Sequence, residues 1–138
     1  MDLDKLDTFP LVYITRDTLK EACSVALDWV TSFHQQQKIM ELAKKHTRGR
    51  GVVTKRGYLP YKLLVPVNIT WCSNLVDFHW AETDGVTIEL NNMKPWTFKE
   101  LVNTLIHEAL HGYVIVGGHE IPEEKEHKIM YDLYTGLV

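Results

Sequence analysis

The sequence predicts an α+β domain: an N-terminal helix, a small mixed sheet, and two further helices towards the C-terminus. Three observations predict it. Leu19, Ala22, Cys23, Ala26, Leu27, Val30 and Phe33 recur at the helical period. Val86-Thr87-Ile88-Glu89-Leu90 alternates apolar and polar residues with period two, as a half-buried strand does. Leu101, Val102, Leu105, Ile106, Ala109, Leu110 and Tyr113 then return to the helical period. A chain of 138 residues is long enough for one hydrophobic core and short for two, so a single domain over 1–138 is expected.

The first helix is expected from about Thr18 to Lys45, capped by Thr15 or Asp17 and weakened near Gln35-Gln36-Gln37. Its end runs into a basic segment, 44–57. There Lys44, Lys45, Arg48, Arg50, Lys55 and Arg56 cluster around Gly49, Gly51 and Gly57 without an acid between them. An exposed loop is expected, and with it a surface for a nucleic acid or another polyanion. Strand-like stretches follow at Tyr61–Val65 and Val67–Trp71, rich in β-branched and aromatic residues. Asp84-Gly85 marks a turn before the strand Val86–Leu90, which Asn91-Asn92 ends. If that strand lies at a sheet edge, an extended peptide can pair with its main chain.

Thr97 and Glu100 form the capping box of the next helix, which runs to about Val114 before Gly117-Gly118 stops it. Pro122 suits the first turn of a last helix. Glu123 and Glu124 lie near its positive end, with Ile129, Met130 and Leu133 behind them.

Composition narrows the class. Hydrophobic residues at 45% and charged residues at 24% fit a globular domain rather than a disordered chain. A net charge of -3 selects neither for nor against a nucleic-acid partner. Met1-Asp2-Leu3-Asp4-Lys5 does not open a secretory signal, and no apolar run approaches the roughly 20 residues of a membrane span. A soluble, intracellular protein without a membrane partner is expected. Cys23 and Cys72 lack close metal-ligand spacing and are expected to be two reduced, buried thiols.

The chemistry concentrates in His107-Glu108-Ala109-Leu110-His111. Residues four apart lie one above the other on a helix, so both imidazoles point the same way. They can share one zinc ion at roughly 2.0–2.1 Å. Glu108 sits where its carboxylate can take a proton from a water on the ion and later return it to a leaving amine. A catalytic zinc needs a third protein ligand and an open position. His127, Glu123 and His119 are the candidates. His127 comes first, one loop and one helical turn beyond His111. Glu123, one turn earlier on the same face, would make a two-histidine, one-carboxylate site. Tyr131, four residues after His127, is the preferred phenol for stabilising an oxyanion, with Tyr113 and Tyr134 also available.

These residues carry a family resemblance. Val86-Thr87-Ile88-Glu89-Leu90-Asn91, followed by Glu100-Leu101-Val102-Asn103-Thr104-Leu105-Ile106-His107-Glu108-Ala109-Leu110-His111, resembles the core of the SprT/Spartan-type metalloproteases. Trp71 and Gly85 upstream are similar to that family's Trp-containing strand region. The resemblance spans about Asn68 to Tyr134, roughly half of the chain. It implies a zincin-like fold, a zinc ion held by three histidines, and cleavage of protein or peptide substrates. Eukaryotic members act on proteins crosslinked to DNA. His107 and His111 then stand as ligands and Glu108 as general base. The family's third histidine opens the next helix in a His-Gly-x-x-aromatic pattern. Aligning that helix puts Glu123 at the histidine's place and His127 at the aromatic's, so the third ligand stays open. Small phage and viral metallopeptidases, and the ImmA-like group with a glutamate ligand, share the same helix pattern.

Two function classes follow. The first is a zinc metallopeptidase. The second is a zinc-containing binding module that holds a protein or nucleic acid, the latter through segment 44–57, without catalysis.

Overall fold

Two helices, rather than one, follow the N-terminal segment: α1 (Arg16–Thr31) and α2 (Phe33–His46). The computed structural model describes residues 2–11, 13–46, 68–72, 79–83, 87–114 and 123–138. Thr15 is the N-cap of α1, its hydroxyl accepting from Thr18 N at 3.1 Å. The break falls at Ser32, ahead of the glutamine run. Ser32 leaves helical geometry at φ -59°, ψ 141°. Its hydroxyl donates to Trp29 O at 3.0 Å and accepts from Gln35 N at 3.4 Å, closing one helix and opening the next. A serine hydroxyl offers the backbone this alternative to a continuous ladder. The break also takes Phe33 off the α1 stripe. That ring is 75% exposed, while Ala22, Ala26, Trp29 and Val30 are buried.

Among the described residues the sheet has three strands, β1 (Asn68–Cys72), β2 (Ala81–Thr83) and β3 (Thr87–Asn91), in the order β1-β3-β2. β1 runs parallel to β3, with Ile69 opposite Ile88 and Trp71 opposite Leu90. β2 runs antiparallel to β3, with Glu82 opposite Glu89. The sheet is mixed, as expected, but β3 is its central strand. Both of its sides are paired, so it offers no edge to a peptide. Among the described strands, β1 and β2 lie at the two edges. Asn91 does not end β3 but belongs to it, and it is buried.

Thr97 caps α3 (Phe98–Val114), accepting from Glu100 N at 3.0 Å. Leu101, Val102, Leu105, Ile106 and Leu110 form its buried stripe, against which α1, β2 and β3 pack. Each such side chain contributes about 1.5–3 kcal/mol by leaving water. The last helix, α4 (Glu123–Leu133), buries Ile129, Met130 and Leu133 and packs on α2 and α3. Lys38 Nζ donates to Leu133 O at 3.1 Å, and His46 pairs with Asp132 at 2.8 Å, so α2 holds the end of α4 at two points. A short 3-10 turn, Thr135–Leu137, follows. The N-terminal segment is tied to the same region. Leu11 N donates to Trp96 O at 2.8 Å, and the Tyr134 hydroxyl donates to the Asp4 carboxylate.

Cys23 is a free thiol, half-buried rather than fully enclosed. The partial burial raises its pKa. The side chain of Cys72 lies outside the described residues. So do the expected strand at 61–65, the Asp84-Gly85 turn, Gly117-Gly118 and Pro122. Of the basic segment, Lys44 and Lys45 belong to the last turn of α2, and 47–57 lies outside the described residues. Among the described residues no helix is long and apolar enough to cross a membrane.

Candidate metal centre

The helical period of α3 turns Leu105, Ile106 and Leu110 into the core and leaves His107 and His111 on a flank that meets α4. Their ring centroids lie 4.5 Å apart. α4 brings His127 to the same place, with its ring 4.8 Å from that of His111 and 5.4 Å from that of His107. One nitrogen from each of His107, His111 and His127 lies within 4.8 Å of the others, close enough for the three to hold a metal ion. Nitrogens bound at roughly 2.0–2.1 Å to a tetrahedral ion stand about 3.3 Å apart. His111 Nε2 and His127 Nε2 are 3.0 Å apart, so modest ring rotations bring the set onto one ion.

The other ring nitrogens are committed. His107 Nδ1 donates to the backbone carbonyl of Leu137, and His111 Nδ1 donates to Glu126 Oε2 at 2.6 Å. Each bond fixes the tautomer and aims Nε2 at the shared space. With His111 Nδ1 donating, its Nε2 lone pair is left to accept from His127 Nε2. Burial lowers the pKa of His107 and of His111 to about 4, with help from the neighbouring imidazoles. Both are therefore neutral near pH 7, the form that ligates. Three imidazole ligands suit a first-row transition ion such as zinc, copper, nickel or iron.

Glu123 stands apart from the three. Its side chain is 74% exposed, and Oε1 lies 3.9 Å from His127 Nε2. His119 lies outside the described residues. The geometry thus joins His127, not Glu123, to His107 and His111. Tyr131 is 56% exposed. The Tyr134 hydroxyl is engaged by Asp4, and the side chain of Tyr113 lies outside the described residues.

Glu108 projects from α3 beside His107 into a cleft of about 450 Å³. It is 7% exposed, and its pKa is raised to about 7. Burial is the main cause. The carboxylates of Glu82 and Glu123 add to it, and His79 opposes it. No family model, curated protein or solved structure matches the chain.

Three parts of this site are absent from the sequence-based expectation. Glu126, whose side chain is 8% exposed, supports His111. Leu137 supports His107 with a backbone carbonyl, and Gly136, Leu137 and Val138 wall the cleft. His79, paired with Glu82 at 2.7 Å, lines the same cleft with Trp80 and Ala81 at the start of β2. Only the first had a signal in the sequence. Glu126, Ile129, Met130 and Leu133 share one helical stripe, and an acid on an apolar stripe needs a partner.

Proposed function

We propose that this chain is a zinc-dependent metallopeptidase of zincin-like fold, similar to the SprT type, that hydrolyses protein or peptide substrates. One observation carries the proposal: a three-histidine cluster, one member of which, His107, lines a cleft together with the buried Glu108 that follows it in sequence. A purely structural zinc closes all four positions with protein ligands, whereas this set supplies three. A bound zinc ion supplies Lewis acidity and acidifies water towards a pKa of about 7.

The chain's own residues do the rest. His107 and His111 are neutral and pre-aimed by Leu137 and Glu126. Glu108, with a pKa of about 7 in the metal-free protein, is matched to accepting a proton from water and passing it to the leaving nitrogen. Glu108 would stay basic if a cation held by the three histidines offset the burial that raises its pKa. Among the described strands, β2 is the edge beside the cleft. Main-chain pairing along it holds an extended peptide whatever its side chains.

Glu108→Gln tests the proposal. Elemental mass spectrometry should find about one zinc per chain in wild type and variant alike, and only the wild type should cleave unfolded casein. Equal cleavage by both proteins would refute the role of Glu108. Zinc without any cleavage would favour a binding module.

A further inference from the structure

The first half of α3 lines the same cleft as its histidine and base. Glu100, Asn103 and Thr104 precede His107 and Glu108 by one to two turns, and all five residues border the cleft. Residues three and four apart are neighbours on a helix, so these side chains form one stripe. Asn103 is its unusual member. It is 6% exposed, and its Oδ1 has no hydrogen-bond partner among the described residues. The other end of the amide sets its orientation, with Nδ2 donating to Gly136 O at 3.4 Å. Turned over, the amide would set two oxygens against each other there. That bond is long, so a small rotation turns Oδ1 toward a ligand at little cost. Folded proteins keep few buried acceptors unpaired. One that borders a cleft is satisfied when a ligand brings the donor. The lining also selects that donor's charge. Its described residues include two acidic side chains, Glu100 and Glu108, and no lysine or arginine.

We propose that Asn103 and Glu100 form a specificity subsite for a substrate lysine or arginine: Asn103 Oδ1 accepts from the cationic head, and the Glu100 carboxylate is its counter-charge. The assignment rests on the peptidase reading above and names the class of peptide that the cleft selects. Asn103 stands four residues before His107 and Glu100 seven. At 1.5 Å per residue these are about 6 and 10 Å along the helix. An extended peptide advances about 3.3 Å per residue. The recognised side chain therefore belongs to a residue within about three positions of the bond that is cut. Trp80 and Ala81, also in the lining, give its methylene stem an apolar surface. A neutral aliphatic side chain leaves Oδ1 unpaired, and a site built around a buried polar group rejects an analogue that lacks its partner. Glu100 is exposed and contributes less, because a solvent-facing ion pair is worth little.

The test uses the zinc-loaded full chain. Cut sites in unfolded casein, mapped by mass spectrometry, should carry lysine or arginine within about three positions of the bond, on one constant side. Quenched peptides with lysine or norleucine at the preferred position then give a ratio of kcat/KM values. Because both are read on one preparation, the ratio does not depend on how much of it is folded. Wild type should favour the lysine peptide about tenfold or more. Asn103→Ala should lose most of that preference. Glu100→Gln, which keeps the capping-box pattern, should lower it about two- to fivefold. Casein cut without this bias, or a wild-type ratio under about twofold, overturns the subsite while the peptidase reading stands. So does a preference that Asn103→Ala leaves intact. If Asn103→Ala does not fold, Glu100→Gln decides, and an unchanged ratio in it overturns the pairing. A zinc-loaded wild type that cuts neither casein nor the peptides overturns the peptidase reading and the subsite together.

Discussion

Glu126 occupies a position that the apolar stripe of α4 would otherwise give to a leucine or isoleucine. It is 6% exposed, and its carboxylate meets His111 at 2.6 Å. Supports of this kind typically hold metal affinity up by 10- to 100-fold. Glu126→Ala is therefore expected to weaken zinc binding by that factor while Glu108 and the cleft persist. Competition titration against a chromophoric chelator measures it. Unchanged affinity would mean that Glu126 serves only to fill the α4 interface. At this scale the sequence was legible where chemistry follows local spacing. His107, Glu108 and His111 needed nothing but the helical period. The choice of His127 over Glu123 depended on how α4 is rotated against α3, which no spacing within α4 fixes.

Elements follow local signals, and some of those signals are short. Thr97 and Glu100 announced the start of α3, and the helix begins there. Ser32-Phe33-His34-Gln35 has the same serine-x-x-glutamine form. It divides what the apolar stripe suggested was one helix. Ser32→Ala removes the hydroxyl that serves Trp29 O and Gln35 N, and should cost about 1 kcal/mol. Urea unfolding monitored by circular dichroism reads this as a lower midpoint at unchanged slope. An unshifted midpoint would show that packing alone sets the break. β2 left no trace in the sequence, because three residues are too few to establish a period of two. Its existence is a property of its pairing with β3, and that pairing moved β3 from an edge to the centre.

For the whole molecule, burying the ionisable groups of the candidate metal centre links folding to protons. Between about pH 4.5 and 6.5 the unfolded chain carries protons on His107 and His111 and none on Glu108 or Glu126. The folded, metal-free chain reverses this, because burial lowers the two imidazoles to about 4 and raises the two carboxyls to about 7. The carboxyls stabilise the fold at low pH and lose that contribution as pH rises through 7. The imidazoles stabilise it above 6.5 and lose theirs as pH falls through 4. The two trends cancel in the window, whichever atom of the His111–Glu126 pair holds the shared proton. Glu108→Gln combined with Glu126→Gln removes one side of the balance. In chelator-treated protein its stability should rise from pH 4.5 to 6.5 more steeply than that of wild type, as urea midpoints at several pH values will show. Parallel pH profiles would contradict the cancellation. None of this coupling was legible in the sequence, since it arises from burial that only the assembled core imposes.

The residues after α4 do two things at once: Leu137 holds His107 by its carbonyl, and Val138, 60% exposed, stands on the wall of the cleft. Whatever is joined after Val138 begins beside the cleft that His107 lines. A polyhistidine purification tag attached there would set a row of extra imidazoles against His107, His111 and His127. Metal counted in such a preparation would include ions drawn by the tag, and a flexible tail could enter the cleft ahead of a substrate. Histidine-free handles keep both the stoichiometry and the cleft interpretable.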